Sequence, residues 1–241
     1  MTDMFAPDSV VRRVDGERVL LLGGGRALLM QLAHPLVARG VAEHSDFGAD
    51  PLARLRRTLE ASFTISFGTV EEAERTAAVV RTVHDRVRGE GYQANDPALL
   101  LWVHATLVDT ALQVYGRFHG RLSAADAERY YQESTRKAEI LGCPRAQQPD
   151  DLAAFRAYVR HMVTTLRVSD EGRRLGRAIV NPRVPLLGRV ARDLTAGLLP
   201  APLRRQYGLP WHPVQGVALE AATLASRLAL PHLPTVIRRP A

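Results

Sequence analysis

Helix starts and stops alternate along almost the whole of this chain, and that pattern leaves room for little except an all-α fold. Asp50-Pro51 sets a carboxylate cap before a proline at the first helical position, and Asp96-Pro97 repeats the arrangement. Thr69 with Glu72 reads as a capping box. Ser123 with Asp126 opens a further helix, and Asp150-Asp151 caps another. Gly68, Gly89, Gly91 and Gly142 stand where the periodic runs stop. Between these marks apolar residues recur at helical spacing, and hairpin signals are scarce. The pattern predicts helices over about 9–21, 26–45 (kinked at Pro35), 51–67, 70–88, 97–118, 123–142 and 151–167. Beyond Val180 the frequent prolines predict shorter helices, and LPHLPTVIRRPA reads as a partly extended tail.

A chain of 241 residues with 46% hydrophobic content can bury one full core. The formal net charge is +7, and Lys137 is the sole lysine, so the basic excess is arginine. Arginine- and alanine-rich, lysine-poor usage is that of a high-GC bacterial genome and carries no function. The arginines scatter over helix surfaces with no aromatic stripe among them, so no nucleic-acid partner is expected. Peripheral contact with an anionic lipid surface fits the charge better. The single cysteine, Cys143, cannot close an intrachain disulfide and reads as structural. The polar N-terminus shows no secretory pattern, and the apolar runs VLLL and ALLMQLA fall short of the roughly 20 residues of a membrane span. A cytoplasmic or membrane-peripheral protein is the expectation; the oligomeric state is not legible.

VLLLGGGRALLMQL imitates a strand, glycine loop and helix. A dinucleotide loop needs G-x-G-x-x-G, and its last position here is Leu28. The three glycines are read instead as a tight turn between helices or as a place where a flat group approaches the backbone.

The residues that could carry chemistry are few. His84 shares a helical face with Val80, Val83 and Val87, which directs it to the core. His104 and Asp109 are the polar intruders in a nearly all-apolar helix, where Asp109 calls for an arginine from elsewhere. A buried neutral imidazole can ligate haem iron or simply bond a backbone group; the residues alone leave both open. Arg54, Arg57 and Thr58 project together from one helix. They could bind haem propionates and steady bound oxygen, or form a solvated basic face with Glu60. His34, Glu43 and His44 are a potential acid–base supply without zinc spacing. No G-x-S-x-G supports a serine hydrolase.

The ordered series GRALLMQLAHPLVARGVAEHSDF, DPLARLRRTL, ISFG, VRTVHDRVRG and GYQANDPALLLWVHATLVDT resembles a family of bacterial and fungal helical domains. The family includes the rubber oxygenase known as latex clearing protein and the oxygenase of mycophenolic acid biosynthesis. The resemblance covers about residues 15–220, with 1–14 as a lead-in and 221–241 as a C-terminal helix and tail. It implies a single multi-helix domain with a globin-like core around haem b, and an oxidoreductase using dioxygen. It also implies His84 as the axial iron ligand, and Arg54, Arg57 and Thr58 as the family's Arg, basic and Thr positions. Where the rubber oxygenase has a lysine able to reach the distal face of the iron, this chain has Arg57, which stays protonated and does not ligate. His104 is then an alternative ligand or haem contact. Glu43 is the nearest acidic residue for a catalytic carboxylate. The expected function is a haem b-dependent oxygenase for a small hydrophobic, isoprenoid-like substrate. The alternatives are a non-catalytic haem or hydrophobic-ligand carrier and a cofactor-free helical scaffold.

Overall fold

The computed structural model describes the backbone of residues 2–44, 51–181 and 185–239, and their side chains except those of 51–57, 185–187 and 235–236. The fold is all-α, with one two-stranded hairpin among the described residues. The helices are α1 (Val10–Asp15), α2 (Gly24–Leu32), α3 (Pro35–His44), α4 (Pro51–Phe67), α5 (Val70–His84), α6 (Pro97–Val114) and α7 (Ala124–Leu141). They continue as α8 (Leu152–Thr165), α9 (Asp170–Val180), α10 (Pro185–Leu198), α11 (Ala201–Gln206), α12 (Pro213–Ala229) and α13 (Thr235–Arg238).

The helices begin where the caps place them. Thr69 and Glu72 exchange both bonds of a capping box. Asp96, Ser123 and Asp151 each accept from a backbone N–H in the first turn of the helix that follows. Asp50 lies outside the described residues. Gly142 ends α7 at φ +109°, a left-handed position that only glycine adopts without strain.

The differences from the pattern have physical causes. The segment expected as one helix over 9–21 is α1 followed by a tight 3-10 turn over Arg18–Gly23. VLLL lies in that turn, so the strand a dinucleotide loop requires is absent. A Cβ on Gly23 would collide with Thr110 of α6, and one on Gly25 with Thr195 of α10. Gly23 and Gly25 therefore let helices approach closely rather than cradle a phosphate, while a Cβ on Gly24 would meet nothing. Pro35 does more than kink its helix: α2 and α3 meet at 102°. Helix α9, which the pattern above does not include, is capped by Ser169 and is strongly amphipathic. Helix α12 runs 17 residues where shorter helices are expected, and α13 makes a helical turn within the tail expected to be partly extended.

Helix α6 is the axis of the core. Trp102 is fully buried and donates to the Met30 carbonyl at 3.1 Å, which fixes α6 against α2. Arg26 of α2 supplies the partner Asp109 calls for, also donating to Thr110 and the Leu198 carbonyl. One buried guanidinium thus ties α2, α6 and the end of α10 together. Tyr131 and Phe155 pack at 4.8 Å between ring centres where α7 meets α8. Pro97–His119 is long and apolar enough to cross a bilayer, but 72% of its most apolar 18-residue stretch is buried within the protein, the environment of a core helix. Its last turn widens into a π-helix over Tyr115–His119.

Candidate active site

Helices α4 and α5 form a hairpin that turns at Gly68, and the N-terminal residues clamp the turn. Met4 donates to the Gly68 carbonyl, and Val70 donates to that of Thr2. Because α5 runs back along α4, the level of a residue is set by its separation from Gly68. Residue 54 precedes Gly68 by about as many positions as His84 follows it. Arg54 therefore comes nearly level with His84 at the end of α5, and Arg57 and Thr58 lie one to two turns nearer the hairpin turn. The side chains of Arg54 and Arg57 lie outside the described residues; Thr58 is exposed.

His84 is the last residue of α5 and is half-buried, with its Nδ1 shielded from solvent. The face that carries it inward differs from expectation. Ala73 and Ala77 are buried and Val80 is half-buried, whereas Val83 is 54% exposed. The inward stripe is therefore 73, 77, 80, 84 and 87, which keeps Val80, His84 and Val87 of the face read in the sequence and leaves out Val83.

The chain beyond His84 turns through strands β1 (Arg88–Gly89) and β2 (Tyr92–Gln93), and Gly91 closes the turn at φ +77°. This hairpin is fastened to α3. The Tyr92 hydroxyl donates to Glu43 at 2.5 Å, Arg39 donates to the same carboxylate at 2.8 Å, and a ring nitrogen of His44 lies 3.1 Å from the Arg88 carbonyl. The hydrogen bonds from Tyr92 and Arg39 hold the Glu43 carboxyl below its usual range, while burial and the bond to Glu43 push the Tyr92 phenol up to about 12. Asn95 bridges the Arg81 carbonyl and Asp85, locking the end of α5 to the loop before α6. Tyr92 and Asn95 were invisible as site-supporting residues in the sequence; the Gly-bracketed segment between two helix patterns was the only sign of a structured connection.

His34 sits half-buried at the bend between α2 and α3, and burial lowers its pKa against the opposing pull of Asp96. A shallow depression of about 480 Å³ is lined by Arg88, Gly89, Gly91, Tyr92, Gln93 and Asp96. Neither His84 nor His104 lines it.

His104 lies in a different setting. It is buried at the middle of α6, and its Nε2 has no partner among the described residues. Burial, with the positive charge of Lys137, pushes its pKa down to about 3, so the ring is neutral at any ordinary pH. Lys137 of α7 pairs with Asp15 of α1 and donates to Ser66 of α4 at 2.8 Å. Asp15 also accepts from Tyr130 and Ser66, each at 2.9 Å. The single lysine of the chain is thus an interior strut joining α1, α4 and α7. Cys143 is buried with its thiol pKa pushed up, as befits a structural residue.

The comparisons with known proteins follow the same segments. Two mycobacterial proteins, the uncharacterized Mb2261 of Mycobacterium bovis and the uncharacterized Rv2237 of Mycobacterium tuberculosis, are each 28% identical over 223 residues. That alignment covers 85% of this chain and 88% of each relative. No solved structure matches. The family model that spans residues 11–228 takes in both helices of the Gly68 hairpin, the bend at His34 and the whole of α6, and by it the chain belongs to the ER-bound oxygenase mpaB/B'/rubber oxygenase catalytic domain family.

Proposed function

We propose that this oxygenase-family domain is a haem b enzyme that acts with dioxygen on a small hydrophobic substrate of the isoprenoid type. The observation that carries the reading is the α4–α5 hairpin. It sets the Arg-x-x-Arg-Thr segment of α4 beside the second half of α5, the half that ends at His84.

The donor chemistry fits the cofactor. Iron in a porphyrin asks for one or two protein ligands, and a neutral imidazole is a suitable one. Non-haem iron asks for a facial set of three; among the described residues no three His, Cys, Asp or Glu side chains converge. His84 and His104 are both shielded imidazoles. His84 is the better ligand, because it stands at a helix end beside a loop. A flat group reaching His104 would have to part the Asp15–Lys137 strut.

Haem, when bound, supplies the redox-active iron at which dioxygen is handled. His84 would hold that iron. Arg54 and Arg57 would pair with the propionates, and Thr58 would offer a hydroxyl donor at the same level of α4. Glu43 is already committed to Tyr92 and Arg39, so its part is to hold the β-hairpin that follows His84. Leu59 and Phe63 of α4 and Val79 and Val83 of α5 leave apolar surface exposed on the same two helices, suited to an apolar substrate.

The test is a visible spectrum of the purified protein, followed by oxygen uptake with apolar alkenes. A Soret band with alkene-dependent uptake supports the reading. A Soret band without turnover makes the protein a carrier or sensor. Absence of the band after reconstitution with hemin overturns the assignment.

A further inference from the structure

Helix α12 turns a wholly apolar face outward. Val214, Val217, Leu224 and Leu228 are 72%, 70%, 61% and 65% exposed. With Ala221 between them, the spacing alternates three and four residues over two full heptads, the seam of a coiled coil. Leu219 and Thr223, on the opposite side of the helix, are buried against the body. The exposed seam therefore faces directly away from the protein, and no described residue covers it.

We propose that a second copy of this chain covers it, with the two α12 helices packed antiparallel about a two-fold axis. Taking Val214, Ala221 and Leu228 as a positions and Val217 and Leu224 as d positions, antiparallel pairing sets Val217 opposite Leu228 and Ala221 opposite Leu224. The flanks then match in the same register. On one side Glu220 of each copy meets Arg227 of the other, twice by symmetry. On the other side Ala218 meets Ala225, small residues that allow close approach of the helices. One register thus pairs four of the five seam residues and matches the charges and the sizes; Val214 falls opposite Pro231, just beyond the helix.

The flanking side chains are placed to serve this. Arg117 anchors Glu220, whose side chain remains 69% exposed. Arg227 donates through Nε and Nη2 to the carbonyls of Arg117 and Gly116, which fixes the guanidinium and leaves Nη1 for an outside acceptor. A lipid surface is the poorer occupant, since the seam has no aromatic residue and its arginine is tied back to the protein. A helix of 17 residues is about 25 Å long and falls short of the roughly 800 Å² per partner of a stable interface. The dimer therefore needs further apolar area beyond the seam, for which Val190 on α10, the helix that packs against α12, and Leu233 and Ile237 after α12 are the exposed candidates.

The experiment is sedimentation of the full chain over a concentration series, with two variants. The wild type should show a reversible dimer. Leu224→Glu should be monomeric with unchanged helicity and thermal stability, because the residue touches solvent in the monomer. The double variant A218C/A225C should form a covalent dimer under mild oxidation, and Ala218→Cys alone should not, because residue 218 meets 225 and not itself. A wild type monomeric at all concentrations overturns the proposal. So does a dimer that survives Leu224→Glu, or crosslinking by Ala218→Cys alone. Sedimentation of a monomer with anionic vesicles, lost in Leu224→Glu, would overturn it in favour of lipid.

Discussion

The surroundings of His104 and of His84 make an instructive pair. Both rings interrupt apolar helices, and in the sequence His104 is the more deeply set. On the proposed reading, that depth counts against it. His104 is enclosed beside an interior ion pair that joins three helices, so its neutrality reflects confinement. His84 is only half-buried, but it ends its helix, faces inward and adjoins a hairpin whose Tyr92 is held by Glu43 of α3. Burial makes an imidazole neutral; access makes it a ligand. A cofactor site needs both.

The contrast breaks most readily at Lys137. Replacing it with Met leaves Asp15 charged and largely buried, at a cost of about 3–5 kcal/mol. The expected result is a large fall in denaturant midpoint, with much of it restored in the double variant D15L/K137M. An unchanged midpoint would mean that the strut is not structural and that the His104 region is open to a ligand.

Acid should act next. The folded pKa of His104, about 3, lies below the unfolded value near 6.5, so the unfolded chain binds the extra proton between them. Stability is therefore full above about pH 6.5 and falls as pH drops toward 3, at about 1 kcal/mol per unit in mid-window. His104→Leu should flatten that slope. If the variant keeps the wild-type slope, the ring is not confined as described.

His84→Ala should lower haem affinity at least about tenfold, about 1.4 kcal/mol, while the helices stay folded. His104→Leu should leave the Soret band in place. The reverse pattern would exchange their roles, and indifference to both would count against the haem reading. The smallest effect belongs to Thr58→Ala. At an exposed position it should change stability by less than about 0.5 kcal/mol, yet lower turnover several-fold. Equal turnover would leave Thr58 as surface.

Much of the fold was legible because capping is local. Thr69, Asp96, Ser123 and Asp151 each bond within the first turn of their own helix, so sequence neighbours suffice to reveal them. The tail helices were less legible, since proline marks where helices stop without measuring how long they run between stops. At the site, residue spacing placed Arg54, Arg57 and Thr58 together, and the family resemblance supplied His84. The Tyr92–Glu43 bond and the Lys137–Asp15 pair join residues far apart in the chain, and no local pattern announces such pairs.

By itself the sequence determined the capped helices from α4 to α8 and the demand that Asp109 find an arginine, because these follow from bonding rules within a few residues. The tertiary structure decided that Arg26 answers that demand and which row of α5 faces inward. It also decided which imidazole is sealed in, and that α12 presents its heptad seam to solvent. Each of those depends on which helix lies beside which, and that is fixed only when the whole chain competes for one core.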